Sequence, residues 1–176
     1  MPDTQPTAER NRLPQGALGL LETEQALHLL TSTIPARLAF TALDGTPRVV
    51  PTWFHWTGSE LVMATYAAGP GIGIRHPASR IAALRARPDV AVSIDTESFP
   101  PTSLTIRGRV EVTDVQGIAP EYAAAARRYL GKDAASAMLA GVDQPGTAQA
   151  RIALRPGWVG LIDFAGRLPS AQGGVR

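Results

Sequence analysis

Cysteine is absent from the chain. That excludes disulfides, thiolate-bound metal and a cysteine nucleophile together, and it suits a reducing, cytoplasmic setting. Lysine is nearly absent too: Lys132 stands alone among 17 basic residues, and the rest are arginine. No apolar run approaches the roughly 20 residues of a membrane-spanning helix. The opening MPDTQPTAERNRLPQGALGL has no basic start followed by an apolar stretch, so no signal peptide is expected. Charged residues make up only 18% of the chain, the net charge is +2, and the arginines are interspersed with acids. A nucleic-acid binder concentrates its basic residues in a stripe, so nucleic acid is not an expected partner. Histidines are few: His28, His55 and His76 fall on a helix, a strand and a loop. They share no metal-ligand spacing, and no metal is expected.

What the chain does have is 44% hydrophobic residues over 176 positions, enough for one globular domain. Residues 1–20, rich in Pro, Thr and Gln, read as a mobile arm; 21–165 form the domain, and 166–176 read as a loose tail. ETEQALHLLTST sets Ala26, Leu27, Leu29 and Leu30 at helical spacing, with Thr23 as cap and Pro35 as stop. RLAFTA, RVVPTWFHW and LVMATY then form a meander. Its first turn holds Asp44-Gly45, a dipeptide that favours positive φ at both positions of a tight hairpin. SRIAALRAR predicts a short helix with Ile81 and Leu84 facing inward. DVAVSID and SLTIRGRVEVTD alternate as strands four and five. Residues 118–140 predict two helices broken at Gly131, and QARIALRPGWVGLIDF is the last strand. The expected fold is mainly β with peripheral helices, a six-stranded antiparallel barrel, since closure removes exposed edges.

The glycines of GPGIGIR fall at alternate positions, not as G-x-G-x-x-G, and no βαβ unit surrounds them. The segment reads as a surface loop or a lid. No G-x-S-x-G is present either. What remains is basic and hydroxyl chemistry around the short helix. Ser79 and Arg80 stand at its N-terminus, where free N–H groups favour an anion. Together with Arg48 and Thr65 they could line a phosphate pocket. Equally, Ser79 could be a helix cap and the arginines solvated.

In order, the chain reads D-G-x-P-R-V-V-P, then L-x-x-A-T, then S-R-x-x-x-L-R-x-x-P-x-V-A-V-S-I-D, then I-R-G-R-V-E-V. Over about residues 25–165 this resembles the pyridoxamine 5′-phosphate oxidase-like superfamily of split-barrel flavin-binding proteins. The resemblance implies that Arg48 reaches the flavin and that Val49, Val50 and Pro51 run along the isoalloxazine edge. It places Thr65 near the ribityl phosphate, Ser79 and Arg80 on the phosphate, and Ser103 at a polar position of strand five. Trp158 matches the part that contacts the partner subunit's cofactor. It further implies a homodimer with cofactor sites at the interface and hydride transfer to or from a small organic molecule. FMN stands ahead of the deazaflavin coenzyme F-420 as the commoner cofactor; Arg10, Arg12 and Arg75 would serve the acidic tail of the latter. The alternative is a non-catalytic module holding a flavin, haem or similar planar ligand. Arg167 alone hints at the substrate-binding tail of true pyridoxamine phosphate oxidases, and that substrate is not expected. His55 and Tyr66 are the nearest acids, with neither assigned a role.

Overall fold

The computed structural model describes residues 13–69 and 77–166. The glycine loop from Pro70 to His76 and the expected roles of Arg10, Arg12, Arg75 and Arg167 lie outside the described residues. A 3-10 turn, Leu18–Glu22, leads into helix α1, Glu24–Thr31, whose N–H at Ala26 is capped by the Thr23 hydroxyl as its sequence predicts. Strands β1 (Ala36–Thr41), β2 (Pro47–Thr52), β3 (His55–Trp56) and β4 (Leu61–Ala68) follow. Next come α2 (Pro77–Ala86), β5 (Asp89–Asp95) and β6 (Thr102–Gln116). Two helices, α3 (Pro120–Leu130) and α4 (Lys132–Val142), precede β7 (Ala148–Asp163). Gly131 breaks the helical pair at φ +81°, where a side chain would be strained.

All ladders are antiparallel, in the order β2-β1-β5-β6-β7-β4-β3. The two edge strands, β2 and β3, are neighbours in sequence. Only Trp53 and Phe54 separate them, so the polypeptide itself passes from one edge of the sheet to the other. That closes the barrel without a ladder at the seam. The architecture is the expected mainly-β split barrel, with seven strands where six were expected, because RVVPTWFHW is two strands rather than one. The cut has a physical cause. Pro51 has no N–H to donate, which an edge strand tolerates, and Phe54 leaves the ladder to bury its ring completely.

The Asp44-Gly45 turn also differs from expectation. Gly45 alone takes positive φ (+83°), its N–H returns to Ala42 O at 2.9 Å, and Ala42 N–H meets Thr46 O. This is a type I turn closed by a left-handed glycine, so Asp44 needs no strained conformation.

Inward residues of the strands, among them Leu38, Met63, Val92, Ile106 and Leu154, fill the barrel. Each such burial contributes roughly 1.5–3 kcal/mol. DVAVSID alternates as its sequence predicts. Helix α2 packs on β1, β4 and β6, burying Ile81, Ala83 and Leu84 against the open end of the barrel. Helix α3 lies over β3 and β4. Residues of the 13–20 stretch pack on the barrel. Gly16 N–H bonds Val159 O at 2.7 Å, the Gln15 amide bonds both Leu161 N–H and C=O, and Leu20 is fully buried. These contacts occupy the stretch of β7 that lies beyond the reach of β4.

Candidate anion site at the open end of the barrel

Thr65 is the inward residue near the end of β4, buried among core side chains. Arg80, in the first turns of α2, donates from Nη2 to the Thr65 hydroxyl at 2.7 Å. The structure therefore brings together two of the expected site residues across the open end of the barrel. Ser79 is the third residue of the same helix and exposed.

The electrostatics single out Arg80. Burial pushes its pKa below the ordinary arginine value, the mark of a cation whose surroundings solvate it poorly. Among the described residues no carboxylate pairs with it, whereas Arg37, Arg48, Arg85, Arg109, Arg151 and Arg155 all have one. A half-buried guanidinium whose hydrogen-bond partner among the described residues is a neutral hydroxyl is set to receive an anion.

Arg48 is placed differently. It extends from β2 back over its own hairpin, donating to Asp44 Oδ2 at 2.9 Å and contacting the Thr46 hydroxyl. The Thr46 hydroxyl and N–H, with Arg48, hold the Asp44 carboxyl down to about 2. At this hairpin the nearest part of α2 is its C-terminal end, where Arg87 donates to Ala42 O. Seven residues of helix, roughly 10 Å, lie between Arg87 and Arg80. Arg48 is thus a compensated charge at the far end of the helix from Arg80.

The rest of β2 splits by face. Val50 turns inward onto the core, while Val49 is 64% exposed and Pro51 is exposed. Ser103 is half-buried on β6, opposite Asp95 on one side and Ile162 on the other. Trp158 is half-buried on β7 with the Arg107 guanidinium 3.6 Å above its ring. Gly16 and Gly160 press against the indole: a Cβ on either would come within 2.8 or 2.6 Å of it. So Trp158 is clasped by the docked N-terminal segment.

The outer face of β3 and β4, under α3, holds a separate polar and aromatic layer. Tyr66 lies beside Tyr122 and Gln149, its buried hydroxyl without a hydrogen bond of normal geometry, and burial pushes its pKa well up. His55 lies opposite Val62 near Glu121. Successive strand residues face opposite ways, so neither group shares the inner face with Thr65. Trp53 stacks on Tyr129 at 5.0 Å and 8°, so α3 covers its ring. Tyr122, Arg128 and Tyr129 leave no local signal, because EYAAAARRYL reads as an ordinary amphipathic helix.

No family model and no curated protein matches the chain. Solved structures do. An F420 reductase is 25% identical with a TM-score of 0.54, covering 75% of this chain and 93% of that one. A protein related to general stress protein 26, of the pyridoxinephosphate oxidase family from Clostridium acetobutylicum, is 11% identical (TM-score 0.51; 80% and 87% covered). A heme binding protein from Mycobacterium smegmatis is 19% identical (TM-score 0.50), covering 91% of this chain and 55% of that one.

Proposed function

Since the chain has the split-barrel fold of the pyridoxamine 5′-phosphate oxidase-like superfamily, we propose that it is an oxidoreductase using a phosphate-bearing flavin-type cofactor. One observation carries the reading: Arg80, half-buried beside Thr65, has no carboxylate partner among the described residues. A cofactor phosphate is the anion that fits a planar guanidinium backed by a hydroxyl and a helix start. Arg80 and Thr65 would fix the phosphate, with Ser79 at the same helix turn. Val50, inward on β2, would form the apolar wall that keeps water from the reacting edge. Arg48 would join only after giving up Asp44.

When bound, such a cofactor supplies hydride transfer, while the protein supplies position and electrostatics. The likeness to the F420 reductase, at 25% identity, favours the deazaflavin over FMN. A homodimer belongs to the same proposal. Val49 and Phe99, 64% and 94% exposed, are apolar surfaces that a second copy would cover. The cytoplasm is the proposed setting.

The test is titration of the purified protein with F420, FMN and haem, followed by absorbance and fluorescence. Saturable F420 binding that Arg80→Ala weakens is the expected result. Failure to bind either flavin overturns the proposal, and a Soret band on adding haem would replace it with a planar-ligand carrier.

A further inference from the structure

Between β2 and β3, neighbours around the barrel, the described residues form no ladder. β2 pairs with β1 as far as Thr52, and β3 resumes on β4 at His55. Phe54 between them is fully buried, so its carbonyl needs a donor that no strand provides. Arg128 of α3 is that donor: Nη2 bonds Phe54 O at 2.5 Å, and Nη1 bonds Leu30 O at 3.0 Å. Leu30 lies in the last turn of α1, where a cation is favoured by the helix dipole. The guanidinium also lies over the rings of Phe54 and Tyr129, at 4.4 and 4.9 Å. No carboxylate pairs with Arg128 among the described residues. Two carbonyls and two ring faces compensate its charge instead.

We propose that Arg128 is a positioning residue for the cofactor slot: it takes the place of a missing strand at the seam and so fixes the path of Val50 and Pro51. The inference rests on the reading of β2 as the slot's wall. Its physical content is a fork requirement. The two carbonyls belong to elements remote in sequence, and a planar guanidinium reaches both at once, whereas an ammonium is a single point donor. Losing the fork frees the crossing without removing any side chain from the slot.

The experiment compares Arg128→Lys with Arg127→Lys, the same exchange at the exposed arginine one position earlier on α3. Amide hydrogen exchange without cofactor is read over residues 47–56, and F420 or FMN affinity is read well below the melting temperature of each variant. In Arg128→Lys, faster exchange confined to the crossing and β2, with affinity about tenfold weaker, is expected. Arg127→Lys should leave both readouts near wild type. A shift in the bound cofactor's absorption band in Arg128→Lys alone would mark the displaced wall. Unchanged exchange over 47–56 in Arg128→Lys overturns the proposal. So does an equal loss of affinity in both variants, which would make Arg128 an ordinary packing residue. If wild type binds no flavin at all, the cofactor reading fails on its own, and the exchange comparison still decides whether Arg128 holds the seam.

Discussion

Arg80 Nη2 and Thr65 Oγ1 lie 2.7 Å apart, joining a helix to a strand fifteen positions earlier in the chain. The bond spans the open end of the barrel, and only one of its partners carries charge. Arg80→Ala should therefore separate two properties that usually fall together. Flavin affinity should drop about 10- to 100-fold, the cost of one or two charge-assisted hydrogen bonds. Stability of the cofactor-free protein should stay level or rise, because a poorly solvated cation is removed. Spectroscopic titration beside urea denaturation reads both, and the reverse pattern would make Arg80 structural.

Gly108 and Gly157 make a matched pair on β6 and β7. Register shifts beside Gly108, where a Cβ would run into the Arg155 carbonyl oxygen, while at Gly157 the nearest atom is 3.8 Å away. Gly108→Ala should cost about 3 kcal/mol or more, since backbone must move. Gly157→Ala should remain within about 0.5 kcal/mol of wild type in the same denaturation series.

Glu121 and Arg151, 2.8 Å apart, set an acid limb. Burial alone would raise the Glu121 carboxyl, but the hydrogen bond and charge of Arg151 outweigh it and leave the pKa below its ordinary value of 4.5. A lowered folded-state pKa means stability that is complete above 4.5 and lost as pH falls through the folded value. Glu121→Gln should cost roughly 1–3 kcal/mol at neutral pH. The gap from wild type should then close in melting curves taken below that window; a gap independent of pH would remove the ion pair from the explanation.

Gln15 serves β7 as a one-residue strand, its amide bonding the N–H and C=O of Leu161 at 2.8 and 2.6 Å. Gln15→Ala should cost about 1–3 kcal/mol for the two bonds. It should also loosen the docked segment that presses Gly16 onto Trp158, making Trp158 more accessible to acrylamide quenching. Trp53 and Trp56, changed to Phe in the background, leave Trp158 as the sole reporter.

Much of this was legible in the sequence. Strands show as period-two alternation, and DVAVSID and SLTIRGRVEV carry it cleanly because each packs one face on the core. Thr23 as cap and Gly131 as break follow from local chemistry. The pairing of Thr65 with Arg80 was reachable from a strand end and a helix start close in sequence. Arg48 was less so. Its neighbour Asp44 lies four residues back, and whether the side chain reaches forward or folds onto the hairpin is settled by packing, not by spacing. Arg128 left no local trace, because both carbonyls it holds come from segments more than 70 residues away.

The sequence by itself determined the elements, the mainly-β barrel class and a basic-hydroxyl corner, since these depend on periodicity, turn residues and neighbours along the chain. Tertiary structure decided the rest. It cut RVVPTWFHW into two edge strands, covered Trp53 with α3, docked residues 13–20 on β7, and left Arg80 without a carboxylate among the described residues. Each is a choice among partners distant in sequence, made by which buried carbonyls, rings and charges could be satisfied at once.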